Sequence, residues 1–480
     1  MSLKSLCVAL VSFTLLLGAG TTWPQPPTAG PERVDERGPV PAEKRQSKPP
    51  SKPFPQDVPG LQAVATEAYE AGDYMRFIQA NIQLRKLRPF AQQYMVGMVV
   101  GGALIGRAKT AYNSMHVMQQ QGLSYDFNST EDTQSVRGTE VYDYLNGLLI
   151  EAGKPMGEGR VAFTLPPAAV RPEAITWDDS RGSFLVGTAE GGVVLAVTPG
   201  GEIEELLRAS DENGLLAITG VAVDAARKKL WLSSAGVPGY TGLEQADLGR
   251  GALFEFNLDS LELINRYAIP EDGLPHVPGS LELTPAGDVY LIDRVVPMVF
   301  RKMAGSESLE PYLASREMLG FMDLALSDDG KTLYLADADL GILVVDLENG
   351  SSASLGGPET LNLGGISGLS YSEGSLFMVQ NGITPQRLMR LQLDPAGKEV
   401  SNVTPLAIAL PEFTAPSFGT VQSGALYYFA DGNLPGEVRE PAPVIVLKSP
   451  LLLSEDIIPA EKRKFDADTW GGNKSPYDDK

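Results

Sequence analysis

The sequence predicts a mainly β fold, a six-bladed β-propeller preceded by an α-helical domain, and three observations carry that prediction. Glycine and proline punctuate the chain heavily, with 51 and 36 among 480 residues, as numerous short strands joined by tight turns require. A pattern of strand, short polar turn and aromatic strand recurs six times beyond residue 170, at spacings of 40 to 60 residues, the period of a four-stranded blade. Between residues 60 and 155 the texture is instead Ala, Leu, Met and Gln at helical spacing.

Taken in chain order, residues 1–20 read as a signal peptide: one Lys, an apolar run from Leu6 to about Leu17, then small residues. The run is too short to span a bilayer, so an exported protein, periplasmic or secreted, is expected, with no membrane span after cleavage. Cys7 is the only cysteine and lies in this segment, leaving a mature chain with no disulfide. Residues 21–59, rich in Pro, charge, Ser and Gln, form a disordered or polyproline-like linker.

The helical domain, residues 60–155, opens with AVATEAYEAGDYMRFIQANIQLRKLRP, a hairpin turning at Gly72 and stopping before Pro89. Aligning Gly72 on Gly106 gives a 34-residue repeat with turns Ala71-Gly72-Asp73-Tyr74 and Ile105-Gly106-Arg107-Ala108, which resembles tetratricopeptide repeats. A further helix over VYDYLNGLLI, Val141 to Ile150, caps the stack. Such a stack offers a groove for a protein or peptide partner, or packs as a stalk on the next domain.

The propeller covers residues 159–450. Its six inner-strand pairs start near residues 173, 220, 280, 323, 368 and 417, as in EAITWDDSRGSFLVG and DLALSDDGKTLYLAD. Outer strands follow, as in GILVVDLENG. The last blade has three strands of its own, ending at VIVLK, and the early strand GRVAFTLPP completes it, closing the ring and hiding strand edges. Residues 451–480 form a charged tail.

A net charge of −21 excludes nucleic acid as a partner. The Gly-rich runs Gly101-Gly102 and Gly364-Gly365 are not followed directly by Lys-Ser or Lys-Thr and do not sit between a strand and a helix, so neither nucleotide nor flavin is expected, and no Gly-x-Ser-x-Gly turn signals a nucleophilic triad. Asn128, Asn349, Asn402 and Asn473 head Asn-x-Ser/Thr sequons. Within a blade the antiparallel inner strands bring the start of the first and the end of the second to one face, beside the channel. Strand starts there supply Glu173, Thr219, Gly279, Met322 with Asp323, and Ser367. Strand ends supply Asp293, Asp337 with Asp339, Gln380 with Asn381, and Asp431, while the loop GLPHVPG adds His276. Converging carboxylates suit Ca²⁺ or another divalent cation. Asp293, Asp337 and Asp431 fit equally the local task of accepting turn N–H bonds, whereas Glu173 has no such local duty. The second histidine, His116, belongs to the helical domain, and the insertion Ser234 to Arg250 is a candidate lid with Tyr240 as its contact residue.

The run LPPAAVRPEAITWDDSRGSFLVGTAEGGVV, with GVAVD, LWLSS and LALSDDGKTLYLAD, resembles the senescence-marker-protein (regucalcin), gluconolactonase and luciferin-regenerating-enzyme superfamily. The resemblance implies a six-bladed propeller whose enzymes hold a divalent metal over the channel, with a ligand Glu in a Pro-Glu-Gly motif matched here by Pro172-Glu173-Ala174. The family's other ligands are Asn or Asp at later strand starts, where this chain has Thr219, Gly279 and Met322, with Asp323 one position off. Two functions follow as expectations. One is an exported binding or scaffold protein, with a small molecule or cation at the propeller mouth and a partner on the helices. The alternative is a metal-dependent lactonase or esterase in which Glu173, with two or more of Asp323, Asp293, Asp337 and Asp431, holds the metal and His276 or an acid activates water. The lost ligand positions favour the first.

Overall fold

The computed structural model describes residues 53–167, 171–270, 272–315, 318–432 and 442–453. The expected signal peptide, most of the linker, nearly all of the charged tail, Cys7 and Asn473 lie outside the described residues.

Five helices come first: α1 (Val58–Glu70), α2 (Tyr74–Leu87), α3 (Gln92–Leu104), α4 (Ala108–Gln120) and α5 (Glu140–Ala152). Asp57 caps α1 by accepting from the Gly60 amide at 2.7 Å, and Asp73 caps α2. Gly72 and Gly106 turn the two hairpins at φ of 69° and 67°, a backbone region nearly closed to other residues. Helix α3 is buried on nearly every side, and its glycines allow that. A Cβ on Gly97 would lie 2.4 Å from Asn81 Oδ1, and one on Gly101 would lie 2.5 Å from Ile78 Cγ1. The Gly101-Gly102 run is thus a packing device that lets α2 and α4 approach.

The rest of the chain is a six-bladed propeller. Its inner strands are Pro172–Asp178, Ala217–Asp224, Pro278–Leu283, Phe321–Leu326, Ile366–Ser372 and Ser417–Gln422, here called blades 1 to 6 in that order. Each pairs antiparallel with the next strand in sequence, and burial alternates from half-open inner strands to fully buried second strands such as Ser183–Thr188 and Ala425–Phe429. Apolar side chains from adjacent sheets interdigitate, as where Phe163, Phe184 and Tyr427 join blades 6 and 1. The closure expected from the sequence is present: Arg160–Leu165 pairs with Val444–Pro450 as the outer strand of blade 6. One strand had no sequence signal. Met156–Gly157 adds a fifth strand to blade 5, where Gly157 approaches so closely that a Cβ would sit 2.0 Å from the Leu406 carbonyl oxygen.

The helical region seats on blades 4 and 5, at the face where second strands end. Arg88 pairs with Asp339 at 2.9 Å, the Thr384 amide donates to Gln92 Oε1 at 2.7 Å, and the Ser124 amide donates to the Thr384 carbonyl at 2.7 Å. The fully buried Arg387 donates to Gln380 Oε1 at 2.7 Å and to the Gln121 and Gly122 carbonyls at 3.0 and 3.3 Å. Those carbonyls are the negative end of α4, so a helix dipole stands where a carboxylate would otherwise be needed. Burial lowers the Arg387 pKa to about 10.

Candidate functional site

Every blade begins its inner strand with a β-bulge. Pairing skips from Pro172 to Ala174, Ile218 to Gly220, Pro278 to Leu281, Phe321 to Asp323, Ile366 to Gly368 and Ser417 to Gly419. The skipped residues are therefore Glu173, Thr219, Gly279 with Ser280, Met322, Ser367 and Phe418, which includes every strand-start position picked out in the sequence except Asp323. A bulge re-aims a side chain out of the ladder, so these residues turn toward the channel or the neighbouring blade.

Most of them are already engaged. Thr219 Oγ donates to the Pro278 carbonyl at 2.6 Å, and Ser367 Oγ to the Pro416 carbonyl at 2.7 Å, each tying one blade to the next. Asp323, one residue past its bulge, accepts from the Leu369 amide of blade 5 at 2.8 Å and from the Leu324 amide at 3.0 Å. Burial raises its pKa to about 6 despite those bonds, a further one from Ser280 and the nearby Arg294.

Glu173 is 8% exposed and ion-paired twice: with Arg171 Nη2 at 3.0 Å and with Arg294 Nη1. Burial alone would raise its pKa, but the two guanidinium groups more than offset this and hold it below the usual carboxylate range. Arg294 reaches this place from the turn after the second strand of blade 3. It also approaches the Thr219 carbonyl of blade 2 at 3.4 Å and lies 4.9 Å over the Phe418 ring of blade 6. Gly279 makes room for it, since a Cβ there would lie 2.6 Å from Arg294 Nε. Arg171 has a left-handed φ of 56° and is held by the insertion, donating to the Pro238 carbonyl at 2.7 Å. The insertion is itself fastened to blade 1 by the Thr241 amide on the Glu190 carbonyl at 2.9 Å, and Tyr240 packs at the rim against the cluster of Ala189, Ala217, Ala235 and Val277.

The remaining candidates stand apart from Glu173. Asp293 accepts from the Val295 and Val296 amides at 2.8 and 3.0 Å, and Asp337 from the Leu319, Asp339 and Leu340 amides at 2.8 to 3.0 Å, the local turn duty of a strand-end aspartate. Asp431 is half-buried at the end of blade 6, where its backbone bridges to Ala415. His276 is 5% exposed, with Nδ1 2.8 Å from Asp293 and Nε2 3.0 Å from Asp272. The Asp293 bond raises its pKa, with Asp272 adding to it against the cost of burial. His116 is exposed on α4. Among the described residues, no group of three or more His, Cys, Asp or Glu side chains comes together as a metal ion would need.

Behind Glu173 runs the channel, a cavity of about 230 Å³ lined by the inner strands, among them Thr176, Ser280, Glu282, Asp323, Ser370 and Thr420. Residues at its Glu173 end are mostly buried, whereas Thr176, Glu282, Tyr371 and Thr420 farther along are half-exposed, so the channel opens toward the opposite face. Glu282 lines the cavity wall and is partly buried there. Burial and the neighbouring Asp323 push its pKa up to about 8.

Reading strand ends and starts for acids located the ring but missed Arg294, Arg171 and Glu282. Arg294 directly follows Asp293 and Arg171 directly precedes Pro172; basic residues abutting the predicted mouth acids were the available signal. Nothing in the sequence marked Glu282, whose place depends on strand register.

No protein-family model matches the chain, and no curated protein matches it. Solved propellers are similar in fold. A calcium-binding regucalcin from Agrobacterium tumefaciens is 12% identical with a TM-score of 0.44, covering 61% of this chain and 93% of its own. The PQQ-bound aldose sugar dehydrogenase from Streptomyces coelicolor is 14% identical with a TM-score of 0.43, covering 62% and 99%. A catalytically inactive virginiamycin B lyase from Staphylococcus aureus with quinupristin is 15% identical with a TM-score of 0.43, covering 62% and 100%. These likenesses concern the propeller fold.

Proposed function

We propose that this protein is an exported binding protein, in which the propeller channel takes a small polar ligand and the helical region docks a partner. One observation carries the reading: the groups that a hydrolase would need free are engaged with each other. Both oxygens of Glu173 are taken by guanidinium groups, and both ring nitrogens of His276 by carboxylates. A general base must offer a free lone pair, and His276, with a carboxylate against each ring nitrogen, has neither nitrogen turned to a substrate. The donor set does not fit a divalent cation either. A hard cation needs several oxygens around one point, but Glu173 faces Arg294, and Gly279 supplies the space for that guanidinium rather than a ligand.

The channel, by contrast, offers three hydroxyls and a carboxyl to a ligand entering from the open end: Ser280, Ser370, Thr420 and Glu282. On the helices, Met75 and Tyr144 expose 42% and 67% of their surfaces and are the anchors proposed for a partner.

The test has two arms. Wild-type protein is assayed on lactones and aryl esters with Ca²⁺, Mn²⁺ or Zn²⁺, and no turnover above buffer is expected. Metal-dependent turnover that Glu173→Gln removes would refute the binding reading. In the second arm a library of small polar compounds is screened by thermal shift. Saturable stabilisation abolished by the channel-filling Thr420→Trp would support the reading.

A further inference from the structure

We infer that Arg294 is a tethered cation that occupies the seat a divalent ion would need at Glu173, making the propeller mouth permanently metal-independent.

The geometry assigns this role through four blades. Arg294 belongs to blade 3, pairs with Glu173 of blade 1, approaches the Thr219 carbonyl of blade 2 and lies over Phe418 of blade 6. Its guanidinium therefore stands across the channel mouth. It meets the kinds of partner that a hard cation would draw inward, a carboxylate and a backbone carbonyl, and adds an aromatic face that such an ion would not require. A planar guanidinium can pair along its edge and lie against the ring with its face at once.

The neighbouring residues are fitted to that group. The missing side chain at Gly279 leaves the space that Arg294 Nε and Cγ approach, 2.6 and 2.9 Å from where a Cβ would be. Thr219 turns its hydroxyl away, to the Pro278 carbonyl, and presents only its own carbonyl. Arg171 takes the second Glu173 oxygen, leaving the carboxylate with opposite charges on both sides. Inserting a divalent ion would bring two positive charges against two guanidinium groups in a buried place, a strongly repulsive arrangement.

The inference concerns the mouth and stands whether or not the channel behind it binds a ligand. The experiment measures thermal unfolding of the full-length chain, as wild type, Glu173→Gln, Arg294→Met and the double variant, in EDTA and in millimolar CaCl₂. Wild-type Tm is expected to be the same in both media. Glu173→Gln leaves two guanidinium groups buried without their carboxylate and is expected to lower Tm by about 10 °C. The double variant, which removes the mouth cation as well, is expected to recover most of that loss. Calcium stabilisation of the wild type that Glu173→Gln abolishes would overturn the inference. So would strictly additive losses in the double variant, since the pair would then be uncoupled. If a single variant does not fold, the double variant still decides: folding with near-wild-type Tm supports the tethered cation, and failure to fold overturns it.

Discussion

Glu282 makes stability depend on pH in a direction opposite to that of most carboxylates. Its folded pKa of about 8 lies above the ordinary 4.5, because the channel interior and Asp323 disfavour its charge. The folded state therefore holds a proton that the unfolded state has already released. Stability from this group is complete below pH 4.5 and is lost as pH rises toward 8. At 1.36 kcal/mol per pH unit, the gap between 4.5 and about 8 sets a ceiling of about 5 kcal/mol. Channel water lowers what is realised, and a loss of at least about 2 kcal/mol between pH 5 and pH 9 is expected from this group. Glu282→Gln keeps the shape and removes the ionisation. Its unfolding free energy, from urea titrations, should exceed the wild-type value by about 2 kcal/mol or more at pH 9, and by much less at pH 5. An advantage of the same size at both pH values would refute the reasoning, because no proton uptake by Glu282 would then accompany folding.

Two further predictions concern the docking of the helices and the clamped histidine. Arg387→Met removes the donor from Gln380 Oε1 and from the Gln121 and Gly122 carbonyls at the end of α4. It should cost about 2 to 4 kcal/mol and make amides of α4 exchange faster than those of blade 1, read by hydrogen exchange; a uniform change would count against an interface role. His276 has its folded pKa above 6.5, so the stability it contributes is full below pH 6.5 and is lost as pH rises through the folded value. His276→Gln should therefore be more damaging at pH 6 than at pH 9, and equal damage at both would show that the aspartates do not hold it protonated.

The sequence alone determined the repeat and its closure. Tight turns, alternating strands and a 40-to-60-residue period have few physical solutions, and an orphan strand before the first blade had one unpaired partner, Val444–Pro450. The helix turns at Gly72 and Gly106 were legible for the same reason, since local backbone geometry permits little besides glycine there. The ring of mouth positions was legible too, because the start of an inner strand is a fixed place in every blade.

What each mouth residue does was decided only by the tertiary structure. Glu173 and Arg294 are 121 residues apart, and nothing local indicates that a turn in blade 3 sends its guanidinium across to blade 1. The same holds for Asp323, whose carboxylate serves the Leu369 amide of the next blade, and for Glu282, whose burial depends on a bulge that shifts register between Pro278 and Leu281. A bulge adds an unpaired residue to one strand and re-aims its side chain, and ion pairs form where the blades bring charges together. A linear pattern records the strands; the closing of the ring alone sets which charges meet at its axis.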